Sequence, residues 1–134
     1  MKRKAIICDI DGTLAHKNGR NPYDPTRYKD DTVDERMREL LKLLDCPIIL
    51  LSGREEAYRV STIDWLYKHG IYFHRLFMRP TKSSRKDADV KMELYFKYVE
   101  PEYDIVCVFD DRQRVVDMWR EIGLKCLQVQ KGDF

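Results

Sequence analysis

Four short, nearly uninterrupted apolar runs constrain this chain more than any other feature: residues 4–8, 47–51, 71–78 and 104–109. A strand that is apolar at almost every position has no face to offer water, so it must lie inside a sheet covered on both sides. Between these runs lie amphipathic stretches of helical length, and that alternation produces βαβ units and a parallel sheet. A fifth, shorter run at 125–129 completes the set. The expected fold is α/β: a three-layer, Rossmann-like arrangement around a central five-stranded parallel sheet.

The helices can be placed from their ends. Thr32-Val33-Asp34-Glu35 has the form of a capping box, opening a helix whose apolar face is Val33, Met37, Leu40, Leu41 and Leu44. A second helix is expected over 55–69 with Gly70 beyond its end, and a third over about 86–98, stopped near Pro101. A fourth covers 112–122 and closes at Gly123. The polar stretch 14–31 contains Asn18-Gly19, Asn21-Pro22 and Asp24-Pro25, turn dipeptides that mark an ordered loop, and 79–85 is a short basic loop. These elements use nearly all of the 134 residues. A single domain over 1–134 is therefore expected, with no inserted cap domain and with 14–31 as an active-site loop.

Lys and Arg number 25 against 23 Asp and Glu, so a surface rich in charge carries a net of only +2. That balance does not by itself indicate a nucleic-acid binder, although segregated charges would be compatible with one. No apolar run approaches the length of a membrane span, and Met1-Lys2-Arg3-Lys4 leads into a strand rather than a signal peptide. A cytoplasmic location is expected, or the host cytoplasm for a phage-encoded chain. Cys8, Cys46, Cys107 and Cys126 lie in or beside apolar runs without CxxC spacing, and His16, His69 and His74 complete no zinc pattern. They read as small buried residues in a reducing compartment.

Three strand ends carry reactive groups: Asp9-Ile10-Asp11-Gly12-Thr13, Ser52-Gly53-Arg54, and Asp110-Asp111. In a right-handed parallel sheet these carboxyl ends share one edge, where open α/β sheets bind ligands. A lone Asp-Gly after a strand would be an ordinary solvated turn. Four carboxylates in one crevice would repel unless a divalent cation sat among them, and Mg²⁺ suits oxygen donors that leave room for water and phosphate. Ser52 with the amides of an expected helix start suits an anion, and Arg54 offers a planar fork matched to phosphate.

DxDGT after the first strand, Ser after the second, a lysine in a later helix and DD after the fourth resemble the haloacid dehalogenase (HAD) phosphatase superfamily. More narrowly, DIDGTLAHKNGRNPYD, SGRE at 52–55, RKDADVKMELYFKYVEP at 85–101 and FDDRQRVVDMWREIGLKCLQVQKGDF at the end resemble the 3′-phosphatase domain of bacteriophage polynucleotide kinase-phosphatase. The resemblance implies a HAD-like fold with Asp9 as nucleophile, forming an aspartyl-phosphate, and Asp11 as general acid and base. It implies Mg²⁺ held by Asp9, the carbonyl of Asp11, and one or both of Asp110 and Asp111. Lys91 matches the family's cationic position; Arg20 and Arg54 match arginines that hold phosphate or nucleotide. Asp87 would orient Lys91 or Arg54. Tyr23, Tyr28 and Phe73 are candidates to stack on bases.

The sequence contains no GxxxxGK[ST], so phosphate removal rather than addition is expected. The short insertions leave an open site able to admit a polymer end. The leading expectation is a Mg²⁺-dependent polynucleotide 3′-phosphatase acting on 3′-phosphorylated DNA or RNA ends, with a kinase or ligase of the same repair pathway as partner. Self-association is left open. A capless HAD phosphatase acting on small molecules such as nucleoside monophosphates is the alternative; a non-catalytic module would have lost one of these acidic residues.

Overall fold

The structure, a computed structural model, describes residues 1–133; Phe134, the last residue of the C-terminal stretch quoted above, lies outside them. In chain order the elements are β1 (Arg3–Cys8), β2 (Ala15–His16), β3 (Thr32–Val33), α1 (Glu35–Leu43), β4 (Ile48–Glu55), α2 (Arg59–Lys68), β5 (Arg75–Arg79), α3 (Asp87–Leu94), β6 (Tyr103–Asp110), α4 (Gln113–Glu121) and β7 (Cys126–Gln128). Five strands form one sheet in the order β5-β4-β1-β6-β7, and every neighbouring pair is parallel. The expected sheet is present, because strands without a polar face need cover on both faces, even β5 at its edge.

Side-chain alternation sorts the core into two halves. From β1, Ala5 and Ile7 face one side and pack with Val90 and Leu94 of α3 and Val115 and Trp119 of α4. Ile6 and Cys8 face the other side and join Met37 and Leu41 of α1 and Trp65 and Leu66 of α2. Leu50 and Trp119 are fully buried, one in each half. Truncating such a residue to alanine typically costs about 2–5 kcal/mol, a large share of the stability of a chain this size.

Several boundaries differ from those expected. Thr32 and Val33 do not start α1; they pair antiparallel with Ala15 and His16, and Asp34 caps the helix by accepting from the Met37 amide at 3.0 Å. This ribbon, with the Asp34 amide on the Leu14 carbonyl at 2.8 Å, closes the base of the 14–31 loop. Leu40 is 37% exposed, so the buried stripe of α1 is narrower than its apolar pattern. Of the expected third strand only 75–78 pairs with β4, and the pairing runs on to Arg79, which was expected in the basic loop. Before it, the Ile71 amide closes the end of α2 on the Leu66 carbonyl, and that bond holds Ile71 in the turn. The third helix widens after Leu94 into a π turn, Tyr95–Val99, where the Glu100 amide reaches the Tyr95 carbonyl.

Cys8 and Cys126 are buried, Cys46 and Cys107 half-buried, and all four are free thiols. Among the described residues no helix is long and apolar enough to cross a membrane. The chain runs outward from β1 to β4 and β5, then returns to the other side of β1 as β6. The carboxyl ends of β1 and β6 thus form the switch point at which such sheets open a crevice.

Candidate active site

At that switch point the Asp9 amide donates to the Phe109 carbonyl at 3.0 Å, extending the β1–β6 pairing by one residue. Asp9 is thereby brought alongside Asp110, and carboxylate oxygens of Asp9, Asp110 and Asp111 lie within 4.8 Å of one another. Asp110 is held by the Asp111 amide at 2.9 Å and by the Trp119 indole N–H of α4 at 3.3 Å. Gly12 is required beside them: its φ is +86°, and a Cβ there would lie 2.0 Å from Asp111 Oδ2.

Lys91, 1% exposed on α3, donates to Asp9 Oδ1 at 2.8 Å and Asp110 Oδ2 at 3.1 Å. Thr13 Oγ1 donates to the other oxygen of Asp9 at 3.3 Å. Burial and then the Asp110 charge push the Asp9 carboxyl well above the usual carboxylate range, against the pull of Lys91. Asp111 is raised by burial as well, with Asp110 adding to it. Burial opposes the charge on Lys91, but Asp110, Asp9 and Asp87 outweigh it and raise its pKa. Three buried carboxylates against one ammonium leave the pocket short of positive charge. Hard oxygen donors with that deficit fit Mg²⁺ or a similar cation.

Ser52, Gly53 and Arg54 do not sit at a helix start as expected. They lie within the end of β4, and α2 begins only at Arg59. Between Ser52 and Glu55 the pairing with β5 slips, so this stretch bulges and Arg54 is turned inward. Ser52 is fully buried, its hydroxyl oxygen accepting from the Arg54 amide at 3.0 Å. Arg54 grips Asp11 with two bonds of 3.0 and 2.8 Å and reaches Asp31 at 3.2 Å and Thr62 Oγ1 at 3.3 Å. Asp11, the more exposed acid, thus faces Arg54 rather than the carboxylate cluster.

Arg20 does not hang in a free turn. It donates to both oxygens of Asp31 at 2.6 and 3.0 Å and to the carbonyls of Asn21 and Pro22, and it lies 3.6 Å from Asp11. The bond to Asp31 raises its pKa despite burial. Asp31 itself, whose side chain is fully buried between the two arginines, escaped the sequence reading. One acid in an acidic polar loop gives no signal of its own. Arg79 was also missed as a site residue, although it ends a strand on the same edge. It holds the Gly53 carbonyl at 2.9 Å and Asp87 at 3.3 Å. Asp87 lies 3.8 Å from Lys91 and fits against Gly53, where a Cβ would come within 2.3 Å of it.

Asp9, Asp11, Arg54, Arg79, Asp87 and the Asp110–Asp111 pair floor and wall a cleft of about 560 Å³, lined also by Tyr23, Tyr28, Tyr58, Arg85 and Arg112; Lys91, Ser52, Arg20 and Asp31 are buried behind it. Phe73 stacks on Tyr67 at 6.1 Å and does not line the cleft. Tyr28 has its ring face covered by Arg54 at 3.7 Å, which occupies the surface a base would use. Tyr23 stands 91% exposed at the cleft.

Residues 3–134 match the polynucleotide kinase PNKP phosphatase domain. A protein of Autographa californica nuclear polyhedrosis virus, named as a bifunctional polynucleotide kinase/RNA ligase, is 34% identical over 127 residues, which are 90% of this chain and 18% of that protein. Two structures of the Pnkp1/Rnl/Hen1 complex, one described as an RNA repair complex, contain a chain 43% identical with a TM-score of 0.95. The match covers 99% of this chain and 44% or 48% of theirs. The chain therefore spans less than half the length of these relatives. D,D-heptose 1,7-bisphosphate phosphatase from B. bronchiseptica, solved with magnesium and phosphate, has a TM-score of 0.65 at 17% identity over 99% of this chain and 83% of its own, a likeness of fold alone.

Proposed function

The chain belongs to the family of polynucleotide kinase PNKP phosphatase domains and is a phosphomonoester hydrolase, and from that premise we propose that it removes terminal phosphate from the 3′ ends of DNA or RNA in a Mg²⁺-dependent reaction. The observation that carries this reading is the arrangement of Asp9 and the Asp110–Asp111 pair on the floor of an open cleft, with Lys91 buried against Asp9 and Asp110 and with walls that bear Arg54, Arg79, Arg85 and Arg112. An open cleft with arginines on its walls accommodates a chain end that a closed pocket would exclude.

An Asp9 oxygen attacks phosphorus, the ester P–O bond breaks, and an aspartyl-phosphate forms. The leaving 3′ oxygen takes a proton from Asp11, which then withdraws one from the water that cleaves the aspartyl-phosphate. Asp11 must loosen its grip on Arg54 to do so. Lys91 neutralises Asp9 in the ground state and the phosphoryl oxygens as charge develops. Arg54 faces the phosphate from the β4 side, Arg20 backs it through Asp31 and Asp11, and Asp87 steadies Lys91 and Arg79. Ser52 fixes the bulge that aims Arg54 and offers its hydroxyl proton to a phosphoryl oxygen. Asp9, Asp110, Asp111 and the Asp11 carbonyl would hold Mg²⁺, which when bound supplies positive charge to the phosphoryl group.

The names of the relatives, a polynucleotide kinase/RNA ligase and an RNA repair complex, support action beside a kinase or ligase that processes the same broken ends. The test compares phosphate release, with Mg²⁺ and with EDTA, from a 3′-phosphorylated oligonucleotide, its 5′-phosphorylated counterpart and an aryl phosphate. Selective release from the 3′ end, lost on chelation, supports the reading. Equal release from the 5′ end rejects the 3′ specificity, and full activity in EDTA rejects the metal.

A further inference from the structure

We propose that Tyr28 is a positioning residue: its ring fixes the plane of the Arg54 guanidinium, and so governs how tightly the site holds phosphate. The inference rests on the reading of Arg54 as a phosphate-binding group. Arg54 Cζ lies 3.7 Å from the centroid of the Tyr28 ring and Arg20 Cζ 4.9 Å from it. Both distances fall within cation–π range, where the interaction is strongest away from water. Arg54 is 2% exposed and Arg20 7%.

The loop is built to make this contact. Asp24 caps the turn by accepting from the Thr26 amide at 3.0 Å, and Pro25 opens the 3₁₀ segment Pro25–Asp30. The Asp31 amide returns to the Tyr28 carbonyl at 3.1 Å, closing a turn of three residues. Asp31 ends the segment in extended geometry, and Tyr28 covers the face of the same guanidinium whose edge Asp31 grips. Tyr58 meets the Tyr28 ring edge-on at 6.0 Å and 90°, so the platform is itself braced.

The platform matters because Arg54 has few donors to spare. Of the five N–H groups of a guanidinium, Nε and Nη2 serve Asp11, Nη2 also serves Asp31, and one on Nη1 serves Thr62. The second N–H of Nη1 takes no part in these bonds, and it is the one assigned to a phosphoryl oxygen. In-plane bonds to Asp11, Asp31 and Thr62 resist tilting of the guanidinium plane only softly; a ring against the face stiffens it. The ring face makes this contact, so the hydroxyl is dispensable.

The experiment replaces Tyr28 with Phe, Leu, and a series of phenylalanines carrying one, two and three ring fluorines. Fluorination drains the ring quadrupole while nearly keeping its shape, so folding is not at issue if the leucine variant proves unstable. The inhibition constant of inorganic phosphate and KM are measured with both a 3′-phosphorylated oligonucleotide and an aryl phosphate. Tyr28→Phe should stay within about twofold of the parent, and Tyr28→Leu should weaken phosphate binding about tenfold. The fluorinated series should weaken it stepwise, with KM rising more than kcat falls. A flat fluorine series overturns the proposal, as does a Phe variant as impaired as Leu, which would assign the effect to the hydroxyl. An enzyme that hydrolyses only the aryl phosphate would refute the polynucleotide reading and still decide the role of Tyr28.

Discussion

Lys91 Nζ sits 2.8 Å from Asp9 Oδ1, an ion pair between residues 82 positions apart that is closed to solvent on nearly every side. The lysine reaches the end of β1 from α3, across the junction with β6, and touches Asp110 in the same place. Nucleophile candidate, cation and metal-ligand candidate are therefore one electrostatic unit.

Lys91→Met should cut kcat by at least about a hundredfold if the ammonium, as proposed, stabilises charge on the phosphoryl group. It should destabilise the chain too, because buried carboxylates lose their counter-charge, a loss of about 3–5 kcal/mol when one partner of a buried pair is removed. Thermal unfolding read with and without Mg²⁺ checks this: the variant should gain more from Mg²⁺ than the parent does. Equal gains in the two proteins would separate Lys91 from the metal-ligand cluster.

Gly12→Ala should raise the Mg²⁺ concentration needed for half-maximal activity. The new Cβ would fall on Asp111 Oδ2, and the positive φ adds strain of about 1–2 kcal/mol. A Mg²⁺ titration with unchanged requirement would mean that Asp111 is not a ligand.

Asp31→Asn keeps the shape between Arg20 and Arg54 and removes the charge that binds them. We expect a drop in kcat/KM of about tenfold to a hundredfold, mainly through KM, as for a lost charge-assisted contact. Steady-state kinetics on a 3′-phosphorylated oligonucleotide measure it. A change confined to kcat would place Asp31 nearer the chemistry than its contacts imply.

Binding of an oligonucleotide should weaken with salt more steeply than that of a mononucleotide, because Arg79, Arg85 and Arg112 add cations along the cleft for a longer chain to meet. Each phosphate neutralised steepens the log–log slope by about 0.7 for single strands. Titrations of both ligands across ionic strength test it; parallel slopes would confine recognition to the terminal phosphate.

The sheet was legible because residues 4–8, 47–51 and 104–109 leave no polar face, and the reactive groups at their ends had to share an edge. The lower legibility of the third strand has a local cause: Ile71 and Phe73 are apolar because they pack against the end of α2, with Phe73 on Tyr67. Residues 52–55 carry helix-start chemistry yet continue β4, since the bulge depends on pairing with Met78 and Arg79 of β5, distant in sequence. Asp31 and Tyr28 gained their roles only when the ribbon of Ala15–His16 with Thr32–Val33 folded the polar loop back over the strand ends. No spacing within 14–31 announces that return.

The most direct test is a truncation series of 3′-phosphorylated substrates, from oligomer down to 3′-NMP, run with the parent enzyme and Asp9→Asn. A polynucleotide 3′-phosphatase acting through Asp9 should show kcat/KM rising with the length of the 3′-phosphorylated chain. It should lose at least about a thousandfold in Asp9→Asn, the scale expected for a missing covalent nucleophile. Equal or faster hydrolysis of 3′-NMP than of every oligomer, or substantial turnover by Asp9→Asn in Mg²⁺, would contradict it.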